Sequence, residues 1–271
     1  MINKMTKKLN FVAISVAYFL LELILFLFIP NVSIYLVISS FIVYIIAVWY
    51  LFSKIYDRKL MFDKFVYLIL YLLASLLILS NFPNLGLNPK LAYILMSGGF
   101  SYLLMVALNI YIVTEKTGTV IPLLRPAKAV VFTSLMLSVF FGTTIIYKNL
   151  ILIDYPLFHL FFKSFLFVLF YFLLFRFIKW FYIADGVGEQ GIEKDILLQR
   201  LNIFSVVFMS QVSWVLMFST FENFGRAVIV GGAFYIINNL VQNYLSHKIV
   251  SRFLYESFAL LIFLYVIVSF L

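Results

Sequence analysis

The chain has 271 residues, of which 65% are hydrophobic and only 11% are charged, and its mean hydropathy is +1.11. A soluble domain has about 25% charged residues, so this composition excludes a protein with a water-facing surface over most of its length. The net charge of +9 does not indicate a nucleic-acid partner, because the basic residues form neither a run nor a stripe on one face.

Nine long apolar segments follow one another along the chain, with no polar linker that would divide it into domains. About 20 apolar residues in a helix cross the ~30 Å hydrocarbon layer of a bilayer. We therefore predict an all-α polytopic bundle that forms a single integral membrane domain over residues 1–271. The predicted spans are residues 11–29, 34–52, 65–80, 91–113, 129–147, 158–178, 201–220, 227–244 and 254–271. No small-residue cleavage pattern follows the first span, so we expect it to be retained.

The distribution of Lys and Arg orients these spans. Short cytoplasmic loops accumulate basic residues. With the N-terminus placed inside, sixteen Lys and Arg residues fall in cytoplasmic segments and three fall outside. This bias predicts a cytoplasmic N-terminus, an external C-terminus and a location in the cytoplasmic (inner) membrane, with membrane lipids as the surroundings.

The largest polar insertion is the predicted cytoplasmic loop at residues 179–202. We expect a solvated connector whose second half, residues 192–201, forms an amphipathic helix at the membrane surface. A docking site for a protein partner is the alternative. Gly186, Gly188 and Gly191 match the letters of a dinucleotide fingerprint, but that motif needs a βαβ unit, and here membrane spans flank it.

An internal repeat is a further hypothesis. Residues 98–111, GGFSYLLMVALNIY, align without a gap to residues 231–244, GGAFYIINNLVQNY. Repeats of the same orientation occur in transporters, which would relate spans one to four to spans five to eight. Coincidence within the small alphabet of membrane helices is the alternative.

Glu22 and Lys163 are the ionisable residues placed deepest in the spans, each roughly 10–12 Å from the predicted external end. An ionisable group at such depth is costly unless it pairs, meets water or reaches the interface, so it marks a candidate functional site. For Lys163 the alternative is snorkelling of its long stem. A structural Glu22–Lys163 pair and a role in a solute or proton path are the other interpretations.

Side-chain amides add polar groups near mid-membrane, at Gln211, Asn238 and Asn239. Such amides commonly form hydrogen bonds between helices. We expect them to join helices or, alternatively, to line a polar cavity.

Glycine pairs at Gly98 and Gly99 and at Gly231 and Gly232 are candidates for close helix packing. Without a side chain, a glycine lets a neighbouring backbone approach, as in small-residue motifs of membrane helices.

The motifs of membrane enzymes are missing. The sequence has no H-E-x-x-H, no G-x-S-x-G and no Walker loop. It also has no cysteine and only two histidines. We therefore predict no catalytic residue, no metal site and no cofactor, and a protein that is not an enzyme.

Residues 109–130, NIYIVTEKTGTVIPLLRPAKAV, follow the helix with the first glycine pair and hold the turn Ile121, Pro122, Leu123, Leu124, Arg125. In this pattern the chain resembles a group of uncharacterised multi-pass bacterial membrane proteins. The resemblance implies a multi-pass membrane fold and no particular activity.

Three functions remain open at this point. A permease-like or transport-associated component is favoured by the number of spans, the amides and the two buried charges. A non-catalytic scaffold or assembly subunit is the alternative, favoured by the apolar, Phe-rich helices and the polar loop. A lipid-modifying membrane enzyme comes third, because the expected motifs are missing.

Overall fold

A computed structural model describes residues 4–29, 33–53, 58–80, 86–117, 123–148, 156–184 and 192–245, with residues 255–257, 259–260, 262–263 and 266 near the end of the chain. Within these ranges all regular structure is helical. The predicted all-α class is thereby confirmed for the part of the chain that is described.

Eight α-helices and one π-helical segment lie within residues 4–245, and the described residues between 255 and 266 are helical as well. A short π-helix, Ile24–Phe28, continues α1 beyond Leu23. The α-helices are α1 Lys4–Leu23, α2 Ile34–Ser53, α3 Arg58–Ser80, α4 Leu87–Thr117, α5 Leu124–Tyr147, α6 Pro156–Ala184, α7 Ile192–Met217 and α8 Asn223–Leu245.

Six of the helices are long and apolar enough to cross a membrane: Leu9–Leu27, Leu87–Glu115, Leu124–Tyr147, Phe158–Ala184, Ile196–Met217 and Asn223–Leu245. The apolar parts of α2 and α3 are shorter, at Ile34–Tyr50 and Lys64–Ser80. Most of the ninth predicted span, residues 254–271, lies outside the described residues. The described residues thus contain six helices of membrane-spanning length. The count of nine spans, the cytoplasmic N-terminus and the external C-terminus stay predictions.

Large apolar side chains point outward from these helices. Met96 is 74% exposed and Phe161 is 72% exposed, and only 22% of the most apolar stretch of α7 is buried. Extended apolar surface of this kind is rare on soluble monomers and is what lipid chains cover in a bilayer. The chain thus has the architecture of a multi-pass helical membrane protein.

The chain forms two compact units, residues 1–134 and 135–271, with the boundary inside α5. In the first unit the most extensive packing joins α1 to α4, and α3 lies against α2 and α4. Its core contains fully buried aromatic side chains, among them Tyr18, Tyr67 and Tyr111.

In the second unit α7 packs against both α6 and α8. Phe167, Tyr171 and Phe177 of α6 are buried there. Gly142 of α5 faces the ring of Phe170, where an added Cβ would lie 2.6 Å from two ring carbons. The large rings of α6 therefore need a glycine opposite them.

The connection between α6 and α7 is shorter than the predicted loop at residues 179–202. Residues 179–184 continue α6, and α7 begins at Ile192 without a break before the apolar span. Residues 192–201, IEKDILLQRL, contain good helix formers and neither glycine nor proline, so they extend the span instead of forming a separate surface helix. The glycine motif at residues 186–191 lies outside the described residues.

The two segments of the suggested repeat have different surroundings. Tyr111 is buried, whereas its counterpart Tyr244 is 43% exposed. An added Cβ at Gly98 would touch Phe19, whereas nothing lies within 4 Å of the same position at Gly231. These different environments do not support the repeat, which stays a prediction.

Candidate functional site

Glu22 lies one residue before the end of α1 and has no exposed surface. One carboxyl oxygen, Oε2, accepts a hydrogen bond from the hydroxyl of Ser97 on α4. The other oxygen, Oε1, is buried and has no hydrogen-bond partner within the described part of the chain. A buried acid with an unused acceptor is an unusual group, since nearly all buried polar atoms are hydrogen-bonded.

Glycine brings α4 close enough to α1 for this contact. Gly98 follows Ser97, and a Cβ built at Gly98 would lie 3.0 Å from the Cβ of Phe19. Phe19 precedes Glu22 by one helical turn. The two backbones therefore meet at Gly98, and the neighbouring Ser97 hydroxyl reaches the carboxyl group.

Hydroxyl groups from α1, α3 and α4 surround the acid. The Tyr18 hydroxyl lies 2.5 Å from Ser75 Oγ and donates to the carbonyl of Leu72 at 2.9 Å. The Tyr93 hydroxyl donates to the carbonyl of Ser75 at 2.8 Å. Four tyrosines, Tyr18, Tyr44, Tyr71 and Tyr93, lie within electrostatic range of Glu22. We call Glu22, Ser97, Tyr18, Ser75 and Tyr93 the Glu22 cluster.

The backbone changes its helical form next to this cluster. The π-helix Ile24–Phe28 begins two residues after Glu22. Single π-helical turns inside α-helices occur frequently at functional sites. The sequence offered no signal for it, because the segment ILFLF contains no helix breaker.

A groove of about 390 Å³ runs along the outer side of the contact between α1 and α4. We call it the α1–α4 groove. It is mostly apolar and is lined by Val12, Ser15, Val16, Phe19, Leu95, Gly98, Gly99 and Tyr102. The groove ends at Phe19 and Leu95, one helical turn from Glu22.

Lys163 is in the second unit and is 9% exposed. Its ammonium group donates to the carbonyl of Tyr147, at the end of α5, at 2.9 Å. The Tyr147 hydroxyl donates to the carbonyl of Ser213 at 2.9 Å, and Ser213 Oγ lies 2.6 Å from the hydroxyl of Tyr171. Lys163 thus belongs to a polar cluster at one end of α5, α6 and α7.

The predicted partnership of Glu22 with Lys163 was based on their similar depth in the spans. Each residue belongs to a different unit and has a hydrogen-bond partner inside its own unit, Ser97 for Glu22 and the Tyr147 carbonyl for Lys163. The pair stays a prediction.

The predicted amide residues differ in burial. Asn238 is 3% exposed, and its carbonyl and side-chain oxygens accept hydrogen bonds from Tyr182 of α6 at 2.9 and 2.6 Å. Gln211 lies on the exposed face of α7, and Asn239 is partly buried on α8. Asn238 therefore joins α6 to α8, and Gln211 faces away from the packed interior of its unit.

An ion pair in the first unit was missed by the sequence analysis. Lys64 of α3 lies 2.7 Å from Glu115 of α4, and their side chains are 5% and 30% exposed. Both residues are near predicted cytoplasmic ends of spans. Opposite charges at the same membrane level on two successive spans were the signal that could have found this pair.

Among the described residues, no group of three His, Cys, Asp or Glu side chains is placed to hold a metal ion. The Glu22 cluster contains a single carboxyl group, and its other members are hydroxyls. These groups can form hydrogen bonds, exchange one proton and neutralise one positive charge. Comparison with protein-family models, with curated proteins and with solved structures found no match.

Proposed function

We propose that this chain is a permease-like or transport-associated protein of the cytoplasmic (inner) membrane, and that Glu22 is the group whose charge changes during its working cycle. The observation that carries the proposal is the state of the Glu22 carboxyl. It has no exposed surface, one hydrogen bond from Ser97 and one oxygen without a partner among the described residues.

A negative charge at this position is costly. On insertion scales a charged side chain at the centre of a membrane helix costs about 2.5–3.5 kcal/mol. No described cation forms an ion pair with Glu22, so a proton or a bound cation has to neutralise it. The proton or cation can reach Glu22 only when the contact between α1 and α4 opens. Binding of that ion would therefore be coupled to a movement of the two helices, as a driven transporter requires.

Solute-driven currents in proteoliposomes test this proposal. Wild-type protein and the Glu22→Gln variant are reconstituted and exposed to amino acids, sugars, nucleosides and inorganic cations, with and without a pH gradient. Glutamine retains an acceptor for Ser97 but cannot change its charge. We expect a current with one solute class in the wild type and its loss in Glu22→Gln.

Glu256→Gln is the matched control, because Glu256 is an exposed acid outside the Glu22 cluster. It should conduct as the wild type does. Equal currents in Glu22→Gln and wild type would remove Glu22 from the mechanism. A folded wild-type protein that gives no current with any solute class would count against transport altogether.

A scaffold or assembly subunit is the second candidate, and the α1–α4 groove is the observation that favours it. Val12, Val16 and Leu95 beside the groove are 44%, 48% and 62% exposed, so an apolar segment of another protein could pack there. Gly99→Trp would fill the groove, and Gly99→Ala would leave it open. Loss of a co-purified protein from Gly99→Trp alone would support this role, and identical co-purification from both variants would contradict it.

A further inference from the structure

Two cations meet at one end of the second unit. Lys163 donates to the Tyr147 carbonyl at 2.9 Å, and the Arg226 guanidinium carbon lies 5.7 Å from the centre of the Tyr147 ring. Each charge lies within electrostatic range of the other. Arg226 and Lys163 therefore both contact Tyr147, which lies at the end of α5.

The described residues around the two cations leave both charges without a counter-charge. Within the described ranges, no carboxylate forms an ion pair with Lys163 or with Arg226. Glu222, the acid nearest to Arg226 in sequence, is exposed, and its recorded contact with Arg226 is between backbone groups. His159, one turn before Lys163, adds a third basic group within electrostatic range.

Hydrogen-bond donors are also left over. An ammonium group has three donors and a guanidinium has five. Lys163 uses one donor, on the Tyr147 carbonyl. Arg226 donates to the carbonyl of Ser219 at 2.7 Å and to Asn223 Oδ1 at 3.4 Å, and its Nε is buried without a partner.

The position of the pair fits an anion at the membrane interface. Lys163 lies seven residues after Pro156, about 10 Å along α6, and side chains in a helix tilt toward its N-terminus. Its ammonium therefore points toward the end of the span. The N-termini of α6 and α8 lie at this end together with the C-termini of α5 and α7, so the helix dipoles oppose one another and the net positive charge here comes from the two side chains.

We propose that Lys163 and Arg226 bind a phosphate group at this end of the second unit. Guanidinium and ammonium groups together match the several acceptor oxygens of a phosphate, and basic pockets between membrane helices bind phospholipid head groups. The phosphate belongs either to an anionic lipid or to a free phosphate ion. The site lies in the second unit and does not depend on the role of Glu22.

Two experiments separate the sources. In the first, protein reconstituted with equal parts of phosphatidylcholine and phosphatidylglycerol is released into detergent, and the retained lipids are measured by native mass spectrometry. In the second, inorganic phosphate is added to lipid-free protein in detergent at constant ionic strength, and thermal stability is followed. Lys163→Met and Arg226→Gln are compared with wild type, with Lys90→Gln as a control on the same predicted side.

We expect Lys163→Met or Arg226→Gln to weaken phosphate binding about fivefold, because each basic group near the membrane surface adds to the attraction of an anionic head group. Lys90→Gln should leave the binding unchanged. If the variants retain less phosphatidylglycerol in the first experiment, the site binds this lipid. If phosphate stabilises the wild type but not the variants in the second experiment, the site binds free phosphate. If Lys163→Met does not fold, Arg226→Gln alone tests the proposal, because the Arg226 side chain is partly exposed and its substitution disturbs the packing less.

Equal binding by wild type and both variants in both experiments would overturn the proposal. So would an ion pair between Lys163 and Asp154, which lies outside the described residues. In that case Asp154→Asn and Lys163→Met would lower stability equally, the double variant would lower it no further, and phosphatidylglycerol and phosphate would have no effect.

Discussion

The close contact at Gly98 gives the sharpest test of the packing that positions Glu22. A Cβ added at Gly98 would lie 3.0 Å from the Cβ and 3.2 Å from the Cδ2 of Phe19. Carbon atoms pack best at about 3.5–4.0 Å. The Cβ of Phe19 is fixed to the backbone, so Gly98→Ala must move α4 away from α1 by a few tenths of an ångström.

The neighbouring glycine supplies the reference. An added Cβ at Gly99 meets nothing within 4 Å, so Gly99→Ala changes only the helix propensity. That change favours alanine by about 1 kcal/mol and applies equally at Gly98. The difference between the two variants therefore isolates the steric effect, which is about 1–3 kcal/mol for overpacking in a core. Gly98→Ala should be the less stable variant by that amount.

The two variants are compared by unfolding in mixed micelles of increasing denaturing detergent, followed by tryptophan fluorescence. Phe19→Ala keeps the Cβ at 3.0 Å, so Gly98→Ala should still lower stability when it is introduced into the Phe19→Ala background. Equal stability of Gly98→Ala and Gly99→Ala would refute the close approach of α1 and α4. It would also remove the reason why Ser97 reaches Glu22.

Two further substitutions test the second unit in the same unfolding assay. Gly142→Ala should be less stable than Gly231→Ala by about 1–3 kcal/mol, because its Cβ would lie 2.6 Å from ring atoms of Phe170, whereas a Cβ at Gly231 meets nothing within 4 Å. Both variants gain the same helix propensity, so equal stability of the two would contradict the packing of Gly142 of α5 against Phe170 of α6. Tyr182→Phe removes both hydrogen bonds to Asn238 and should cost about 0.6–2 kcal/mol; an unchanged midpoint would show that these bonds do not hold α6 to α8.

Helix positions were predictable because apolar length is a direct physical requirement of a bilayer. α2, predicted at residues 34–52, is Ile34–Ser53, and α5, predicted to end at residue 147, ends at Tyr147. Several helix ends on the predicted cytoplasmic side extend beyond the predicted span. α6 and α7 run into the polar region at residues 179–202, since hydropathy marks the edge of the lipid and not the end of the hydrogen-bonded helix.

Partners of the buried groups were not predictable in the same way. Depth in a span follows from counting residues, which singled out Glu22 and Lys163. Which neighbour a side chain meets depends on how each helix is rotated about its axis, and an apolar helix with no polar face gives no signal for that rotation. Ser97 therefore had no distinguishing feature in the sequence, and neither did the carbonyl of Tyr147.

Tyrosine hydroxyls connect the helices, a role that the sequence analysis had given to side-chain amides and that of these Asn238 shares. A helical carbonyl already accepts one backbone hydrogen bond, but its second lone pair can accept another, and a tyrosine on a neighbouring helix is long enough to reach it. Five such bonds, each between different helices, are Tyr18 to Leu72, Tyr44 to Ile14, Tyr93 to Ser75, Tyr147 to Ser213 and Tyr182 to Asn238. Because an aromatic ring is mostly apolar and only its tip is polar, these bonds add polar connections without placing charges in the lipid. Two of them, from Tyr18 and Tyr93, belong to the Glu22 cluster, so the hydroxyls that join α3 to α1 and α4 also place polar groups beside the carboxyl group.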